Sequence, residues 1–446
     1  MPDLDAIFKA YDIRGVVPDE LDESVARLVG NAFVGFTGSD RVLVGRDMRP
    51  TSEPLAAAFI EGATLSGADV VDLGLASTDL VYFASGALDA PAAMFTASHN
   101  PARYNGIKLC RAGAGPVGEQ TGLDRIKETV AGGLIERAEP PGRVESRDLL
   151  ADYAAHVRSF VDIASLRPLR VVADTANGMG GLVVPPVFDG LPFDLTILYP
   201  ELDGNFPNHP ADPIQPENLE DLAKAVLDRD ADVGLAFDGD ADRVFLVDER
   251  AQPLSGSLTT AIVAKGILDR HPGEAVVYNL ICSKAVPEIV RESGGTPIRS
   301  RVGHSFIKQV MAETGALFGG EHSGHYYFRD NFRADSGLIA ALIVLEQLSL
   351  ADAPLSELRV PFERYAASGE INTEVSDPSA VIEGVAASYT DAEQDRLDGL
   401  TVDYGDWWFN LRPSNTEPLL RLNLEAPDRA ACDAHTAEVL ARIRDE

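Results

Sequence analysis

The sequence predicts an α/β protein: three similar mixed α/β domains followed by a smaller α+β domain. Three observations carry this. A strand–loop–helix–Gly turn–strand theme occurs three times, at intervals of the order of a hundred residues. The stretch from 369 onward follows a different pattern of strands and helices. The 446 residues also exceed what one core organises, since single cores stop growing at about 250–300 residues.

The first unit starts with RVLVGRD (41–47), an apolar run ending in polar residues. An Ala- and Leu-rich helical stretch follows, and GADVVDLG (67–74) returns as a second strand. LRVVADTANGMGG (169–181) begins the theme again and DLTILYPE (194–201) closes it. EAVVYNLICS (274–283), helical AVPEIVRESGG and TPIRSRVG form the third unit. Such alternation gives βαβ units in mostly parallel sheets. Near the C-terminus, EINTEVS reads as a strand and DPSAVIEGVAASY as a helix with Asp377 as N-cap. Strands WWFNLRPS and LLRLNLEA and the closing helix DRAACDAHTAEVLARIRDE complete a βαββα domain. Polar, Pro- or Gly-bearing stretches EPPGRVES (139–146), DERAQPLSGS (248–257) and RYAASGE (364–370) separate the units. The expected domains are 1–140, 147–250, 255–364 and 369–446.

The chain carries 70 acidic and 38 basic residues, a net charge of −32. Such a surface repels nucleic-acid phosphates and anionic membranes, so neither is an expected partner. A small anionic substrate requires a local pocket of Arg and Lys. Cys110, Cys282 and Cys432 are few, odd in number and far apart, which fits buried thiols in a reducing cytoplasm. The start, MPDLDAIFKAYDIRG, has no apolar signal-peptide core. The longest apolar run, LIAALIVL, is about eight residues against the ~20 that span a bilayer. A cytoplasmic protein is expected, as a monomer or homodimer.

The sharpest chemical signal is DVGLAFDGDADRVFLVDE (232–249). Asp238, Asp240 and Asp242 alternate in a loop between two strand-like runs, with Arg243 beside them. Three carboxylates this close repel unless a cation sits among them, and all-oxygen ligation suits Mg²⁺ or Ca²⁺. An EF-hand is excluded, because the sixth position is Arg243 instead of Gly and the flanks are strands. The second signal is AAMFTASHNPARYNGIKL (92–109). Ser98 is a candidate nucleophile with His99 adjacent, but Thr96 and Asn100 replace the glycines of a hydrolase elbow. With a metal site elsewhere in the chain, a serine that carries a phosphoryl group is the better reading.

Two further loops carry anion donors. NLRPSNTEPLLRL (410–422) places Arg412, Ser414, Asn415 and Thr416 in one turn, and AYDIRG (10–15) offers Tyr11 and Arg14. GALFGGEHSGHYYF (315–328) sets Glu321, His322, Ser323 and His325 among small residues. This lacks zinc-helix spacing and suits a grip on vicinal sugar hydroxyls. His304 in VGHSFI follows a Gly, and Lys108 opens a strand ten residues after Ser98.

TASHNP, DGDADR, GEHSGH and RPSNTEP, in this order and spacing and with YDIRG at the start, resemble the α-D-phosphohexomutases over essentially the whole chain. The resemblance implies four domains around a central active-site cleft, each contributing one loop. It implies that Ser98 is phosphorylated, and that Asp238, Asp240 and Asp242 bind Mg²⁺ with the Ser98 phosphate completing the coordination. It places Lys108, Arg243 and His304 in acid–base work or substrate contact. Tyr11, Arg14, His99, Glu321, Ser323 and His325 fall at substrate-facing positions. Arg412, Ser414, Asn415 and Thr416 match the loop that holds the non-reacting phosphate. The implied reaction interconverts hexose 1- and 6-phosphates through a hexose 1,6-bisphosphate, which also serves as activator. One position departs from the pattern. Where relatives carry a lysine in the third domain, this chain has Ile281 within NLICSK, leaving Lys284 or no cation in its place. Asn415 and the His of GEHSGH fit the mannose/glucose branch better than the glucosamine branch. A phosphoglucosamine mutase, a Mg²⁺-dependent sugar phosphatase and a non-catalytic phosphosugar sensor remain as alternatives.

Overall fold

The computed structural model describes residues 3–133, 137–413 and 419–445. Four sheets follow one another among the described residues. In the first, the parallel strands Arg41–Arg46, Asp69–Leu75 and Ala92–Phe95 form the centre. Tyr104–Arg111 and Ile13–Val16 then pair antiparallel at one side, and Val144–Ser146 lies at the far edge. The stretch expected as a linker thus adds a strand to the first sheet. The second sheet has a parallel centre of Val233–Phe237, Arg170–Asp174 and Asp194–Leu198, extended antiparallel by Val244–Asp248. The third repeats the scheme with Thr296–Ser300, Ala275–Asn279 and Phe318–Gly320 parallel and Tyr326–Phe328 antiparallel. The sheets are therefore mixed: parallel in the βαβ core, antiparallel where a hairpin is appended.

The C-terminal sheet is antiparallel throughout, ordered Ala366–Glu374, Leu419–Ala426, Trp408–Pro413, Leu400–Asp403, Glu393–Asp395. This corrects the expected βαββα arrangement by two strands. Glu393–Asp395 is short and polar and carries no apolar alternation to betray it. Asp377 caps its helix as expected, accepting from the Ser379 and Ala380 amides.

The first three units share one continuous apolar core, running from Leu43 through Phe237 to Ile343 and Phe362. At its centre lies the helix Gly337–Ala351, predominantly apolar and buried over most of its length, and started by Ser336, whose hydroxyl accepts from the Ile339 amide. Among the described residues, no single helix is long and apolar enough to cross a membrane. The C-terminal unit has its own core, around Val385, Phe409, Leu422 and Val439. It meets the third unit through polar contacts, including Arg299 with Asp395 and the Val302 amide with Asp398.

Candidate active site

The motif loops of the first three units occupy one topological position, the turn from a central parallel strand into its appended antiparallel partner. Residues 96–103 join Ala92–Phe95 to Tyr104–Arg111, 238–243 join Val233–Phe237 to Val244–Asp248, and 321–325 join Phe318–Gly320 to Tyr326–Phe328. A strand buried on both faces leads each polar loop out of the core at the same end of the sheet, so loops far apart in sequence converge.

Ser98 sits in the left-handed region at φ 49°, which a residue bearing a Cβ holds only when its surroundings impose it. Its amide donates to Thr96 Oγ1 at 2.9 Å. Arg49, fully buried, clamps the loop: its guanidinium reaches the carbonyl oxygens of Ser98, Asn100, Pro101 and Tyr104 at 2.6–3.0 Å. Arg14 donates to Asn100 Oδ1 at 2.6 Å. The metal-type loop packs directly on this turn. A Cβ on Gly239 would lie 2.3 Å from the Ser98 carbonyl oxygen, so only Gly fits the centre of DGDAD.

Asp238, Asp240 and Asp242 are buried, with one carboxylate oxygen from each mutually within 4.8 Å. Ser98 Oγ donates to Asp238 Oδ2 at 2.7 Å, across 140 residues of sequence. Lys108 donates to Asp240 and Asp242 at 2.8 and 2.7 Å. Arg243 pairs with Asp238 at 2.8 Å and donates to Ser98 Oγ at 3.1 Å. Burial pushes the Asp238 carboxyl well above its ordinary range, and Asp240 and Asp242 add to the push against Arg243. Burial would raise Asp240 too, but the Lys108 ammonium, the Thr78 hydroxyl and Arg243 together outweigh it and hold that carboxyl low. Lys108 is correspondingly held protonated by the two carboxylates, against its own burial. One oxygen each of Asp240 and Asp242 is buried without a hydrogen-bond partner. An oxygen-only donor set with orphaned lone pairs fits a hard divalent cation.

His99 Nδ1 lies 3.2 Å from Ser98 Oγ and within hydrogen-bond distance of Arg243. Burial, then the Arg243 charge, holds this imidazole well below its ordinary pKa. His325 meets the centre from the third unit, its Nδ1 2.9 Å from Ser323 Oγ and its Nε2 3.9 Å from Asp242. Tyr11 and His304 pack edge to face at 5.1 Å beside this cluster. A Cβ on Gly303 would come within 2.5 Å of the Tyr11 hydroxyl, and the residue's φ of 126° also favours Gly. Desolvation and then Lys308 lower His304 to about 3, so it stands as neutral imidazole. Glu321 is buried and tied by Tyr327 at 2.6 Å, Asn279 at 3.1 Å and the Gly303 amide at 3.1 Å.

In the fourth unit, Arg412 lies 3.6 Å from Glu370 and opposes the burial that raises Tyr11's pKa, so its charge faces the same side. Ser414, Asn415 and Thr416 lie outside the described residues. Lys284 does not stand in for the missing cation near Ile281. Its ammonium bonds Asp403 at 2.5 Å and the Gly405 carbonyl at 2.8 Å, joining the third unit to the fourth.

Five residues that no motif marked also converge here. Asp47 pairs with Arg49 at 3.2 Å in full burial. Thr78 Oγ1 donates to Asp240 at 2.5 Å. Asp79 gathers hydroxyls from three units, those of Ser77, Tyr153 and Ser336. Lys308 and Asp335 form a buried pair at 3.0 Å, and a carboxylate oxygen of Asp335 lies within 4.8 Å of both Asp242 and His325. The GRD ending of the first strand was the available signal for Asp47, but it names no partner.

Residues 5–133, 151–252, 255–365 and 370–443 match, in turn, domains I, II and III (alpha/beta/alpha) and the C-terminal domain of phosphoglucomutase/phosphomannomutase. The chain is 42% identical to the "phosphohexose mutases" of Xanthomonas campestris, over 98% of this chain and 99% of that one. It is 39% identical to a phosphomannomutase of Salmonella montevideo, covering 97% and 98%. A phosphoglucomutase/phosphomannomutase family protein from Burkholderia thailandensis superposes with a TM-score of 0.90 at 32% identity, covering 100% and 98%. These matches mark the chain as a phosphohexomutase, an intramolecular phosphotransferase. It belongs to the phosphoglucomutase/phosphomannomutase family.

Proposed function

We propose that this enzyme interconverts hexose 1-phosphate and 6-phosphate, with mannose as the preferred sugar and glucose as a second substrate, through phosphorylated Ser98. The hydrogen bond from Ser98 Oγ to Asp238, with Arg243 3.1 Å from the same hydroxyl, carries the reading. A serine hydroxyl set beside both the buried carboxylates and a fixed guanidinium supports Ser98 as the phosphoryl carrier. The phosphomannomutase name of several relatives supports mannose.

In the first half-reaction the serine O–P bond breaks and a new O–P bond forms to a sugar hydroxyl, whose proton ends on the departing Ser98 Oγ and leaves the free serine hydroxyl that donates to Asp238. Arg243 holds charge on the phosphoryl oxygens, and Lys108 supplies a second fixed cation. Because its two carboxylates keep it protonated, Lys108 acts as a charge clamp or proton donor and does not accept the proton. His304, held neutral, contacts substrate as a hydrogen-bonding imidazole. Glu321 and Ser323 present acceptors for the sugar hydroxyls, and Tyr11 and Arg14 line the first domain's side. Arg412, with Ser414, Asn415 and Thr416, grips the phosphate that does not react. A Mg²⁺ ion held by Asp238, Asp240 and Asp242 would neutralise charge on the transferring group. The bisphosphorylated intermediate turns over and returns its other phosphate to Ser98, which restores the phosphoenzyme; added hexose 1,6-bisphosphate activates by the same route. The separate core and polar docking of the fourth domain support its closing over the sugar, which keeps water from taking the phosphoryl group.

A coupled assay with Mg²⁺ and a trace of glucose 1,6-bisphosphate, run on mannose 1-phosphate and glucose 1-phosphate, tests this. Both 6-phosphates should form, with the higher kcat/KM for mannose. Inorganic phosphate without isomer would overturn the mutase reading in favour of a phosphatase. Turnover of glucosamine 1-phosphate alone would overturn the substrate assignment.

A further inference from the structure

The Lys308–Asp335 pair is costly and touches no reacting group in the reaction derived above, although both charges also act on His304. Both side chains are almost wholly buried, at 2% and 5% exposure. Burying two charges carries a desolvation penalty that a well-packed apolar pair avoids, so such a pair is weak evidence for stability alone. The ammonium makes no hydrogen bond of good geometry and neither does Asp335 Oδ1. What they face explains them. The Lys308 ammonium lies 3.9 Å above the ring of Tyr82, from the first domain, and 5.8 Å from that of Tyr327. Tyr327 stacks at 17° on His325 and bridges by backbone to Asp335. Asp335, His325 and Asp242 draw within 4.8 Å, and Asp242 bonds Lys108. A row of ionisable side chains therefore runs from Lys308 through Asp335, His325 and Asp242 of the metal-type loop to Lys108, the middle three within 4.8 Å of one another.

We propose that Lys308 and Asp335 are positioning residues for His325: the carboxylate fixes the imidazole against the reaction centre, and the ammonium, seated on Tyr82, fixes the carboxylate and holds the third domain's loop in register with the first. This rests on the mutase reading above. Neither residue touches substrate. Ser323 holds one ring nitrogen of His325, and Asp335 together with Asp242 sets the field at the other side. A histidine oriented by a second carboxylate keeps its lone pair and proton aimed during both half-reactions, although the sugar is turned between them.

The test is a double-mutant cycle between Asp335 and His325. Asp335→Asn should lower kcat by roughly 10- to 100-fold with KM for mannose 1-phosphate nearly unchanged. In a His325→Ala background the same change should cost less than about twofold, because the group it orients is gone. Equal losses in both backgrounds would overturn the proposal and leave a purely structural pair. Should Asp335→Asn fold poorly, Lys308→Met/Asp335→Leu replaces the pair with apolar volume. It should match or exceed the wild type in thermal stability yet keep the low kcat, and recovery of wild-type kcat would overturn the proposal. Ring ¹⁵N shifts of His325 in histidine-labelled protein give a readout independent of turnover. They should move in Asp335→Asn and stay put in a distant control, and unmoved shifts would again overturn the pair's role. A wild-type protein that isomerises no phosphosugar would sink the mutase reading, while the ¹⁵N shifts would still decide the pairing.

Discussion

The guanidinium of Arg49 donates to the carbonyl oxygen of Ser98 at 2.9 Å, from a position 49 residues earlier in the chain. The same group bonds three more carbonyls of the serine loop and pairs with Asp47, so the unusual backbone of Ser98 is held from behind by one planar, multidentate donor. A lysine has one nitrogen and cannot reach four carbonyls at once. Arg49→Lys should therefore lower kcat by roughly 10- to 100-fold while leaving KM within a few-fold. Arg49→Met, which strands Asp47 in the core, should in addition cost about 3–5 kcal/mol of stability. Steady-state kinetics and denaturant unfolding measure both. An Arg49→Lys enzyme with wild-type kcat would show that the loop does not need this clamp.

Ser98→Ala removes the oxygen proposed to carry the phosphoryl group. The hydroxyl donates to Asp238 and accepts from Arg243, which still pair with each other, so the fold should survive with a stability change of about 1 kcal/mol either way. Mutase activity should fall below detection, and incubation with labelled bisphosphate should leave no label on the protein. Retained turnover would remove the phosphoserine from the mechanism.

Much of this site is legible in the sequence because each loop is local. DGDAD, TASHNP and GEHSGH each sit in one turn between two apolar strands, and the residue spacing alone sets three carboxylates or a Ser–His pair in a single bend. What sequence spacing cannot supply is the partner across the fold. Asp79 meets Ser336 over 257 residues, and Lys308 reaches back to Tyr82 in the first domain. Each such residue reads locally as an ordinary helix position. Lys284 illustrates the converse: its sequence position allowed a catalytic cation, and only the fourth domain's Asp403 shows where its charge is spent. The two unforeseen strands of that domain, Glu393–Asp395 and Leu400–Asp403, are three and four residues long, too short for periodicity to register.

The carboxylate triplet should make stability depend on a divalent cation. Asp238, driven above its ordinary range by burial and by its neighbours, gains most from a cation among the three. Stripping the enzyme with EDTA should abolish turnover, and titrating Mg²⁺ back should restore it and raise the melting temperature. At a hundred times Kd the gain is about 2.7 kcal/mol. Asp240→Asn should remove most of that Mg²⁺-dependent shift in calorimetry. A melting curve indifferent to Mg²⁺ in the wild type would argue against a bound ion.

Arg412 lies in the fourth domain, away from the serine, with only Glu370 for a partner among the described residues. It should grip the remote phosphate in ground state and transition state alike. Arg412→Ala is expected to raise KM for mannose 1-phosphate by roughly 10- to 100-fold, the range of one charge-assisted contact of about 1.5–3 kcal/mol, with a much smaller change in kcat. An unchanged KM would take Arg412 out of the clamp.

Asp79 gives the three-domain junction a dependence on pH whose sign can be worked out. Burial pushes its carboxyl from 3.8 up to about 7, although hydroxyls of Ser77, Tyr153 and Ser336 pull the other way. In the unfolded chain the group loses its proton near its ordinary value, whereas the folded protein keeps it until about pH 7. Between those limits the native state binds more protons, so this group's contribution is complete below about pH 4 and is lost as pH rises toward 7. A difference of about three pH units corresponds to roughly 4 kcal/mol as a ceiling. Asp79→Asn has no proton to lose, so its contribution stays flat. Unfolding free energies of wild type and Asp79→Asn, compared at pH 5, 6, 7 and 8, should shift in favour of the variant across that range and level off above 7. Other carboxylates titrate alike in both proteins and cancel in the difference. A difference that stays constant with pH would place the Asp79 pKa in the ordinary carboxylate range, with the junction held by three hydrogen bonds to a permanent carboxylate.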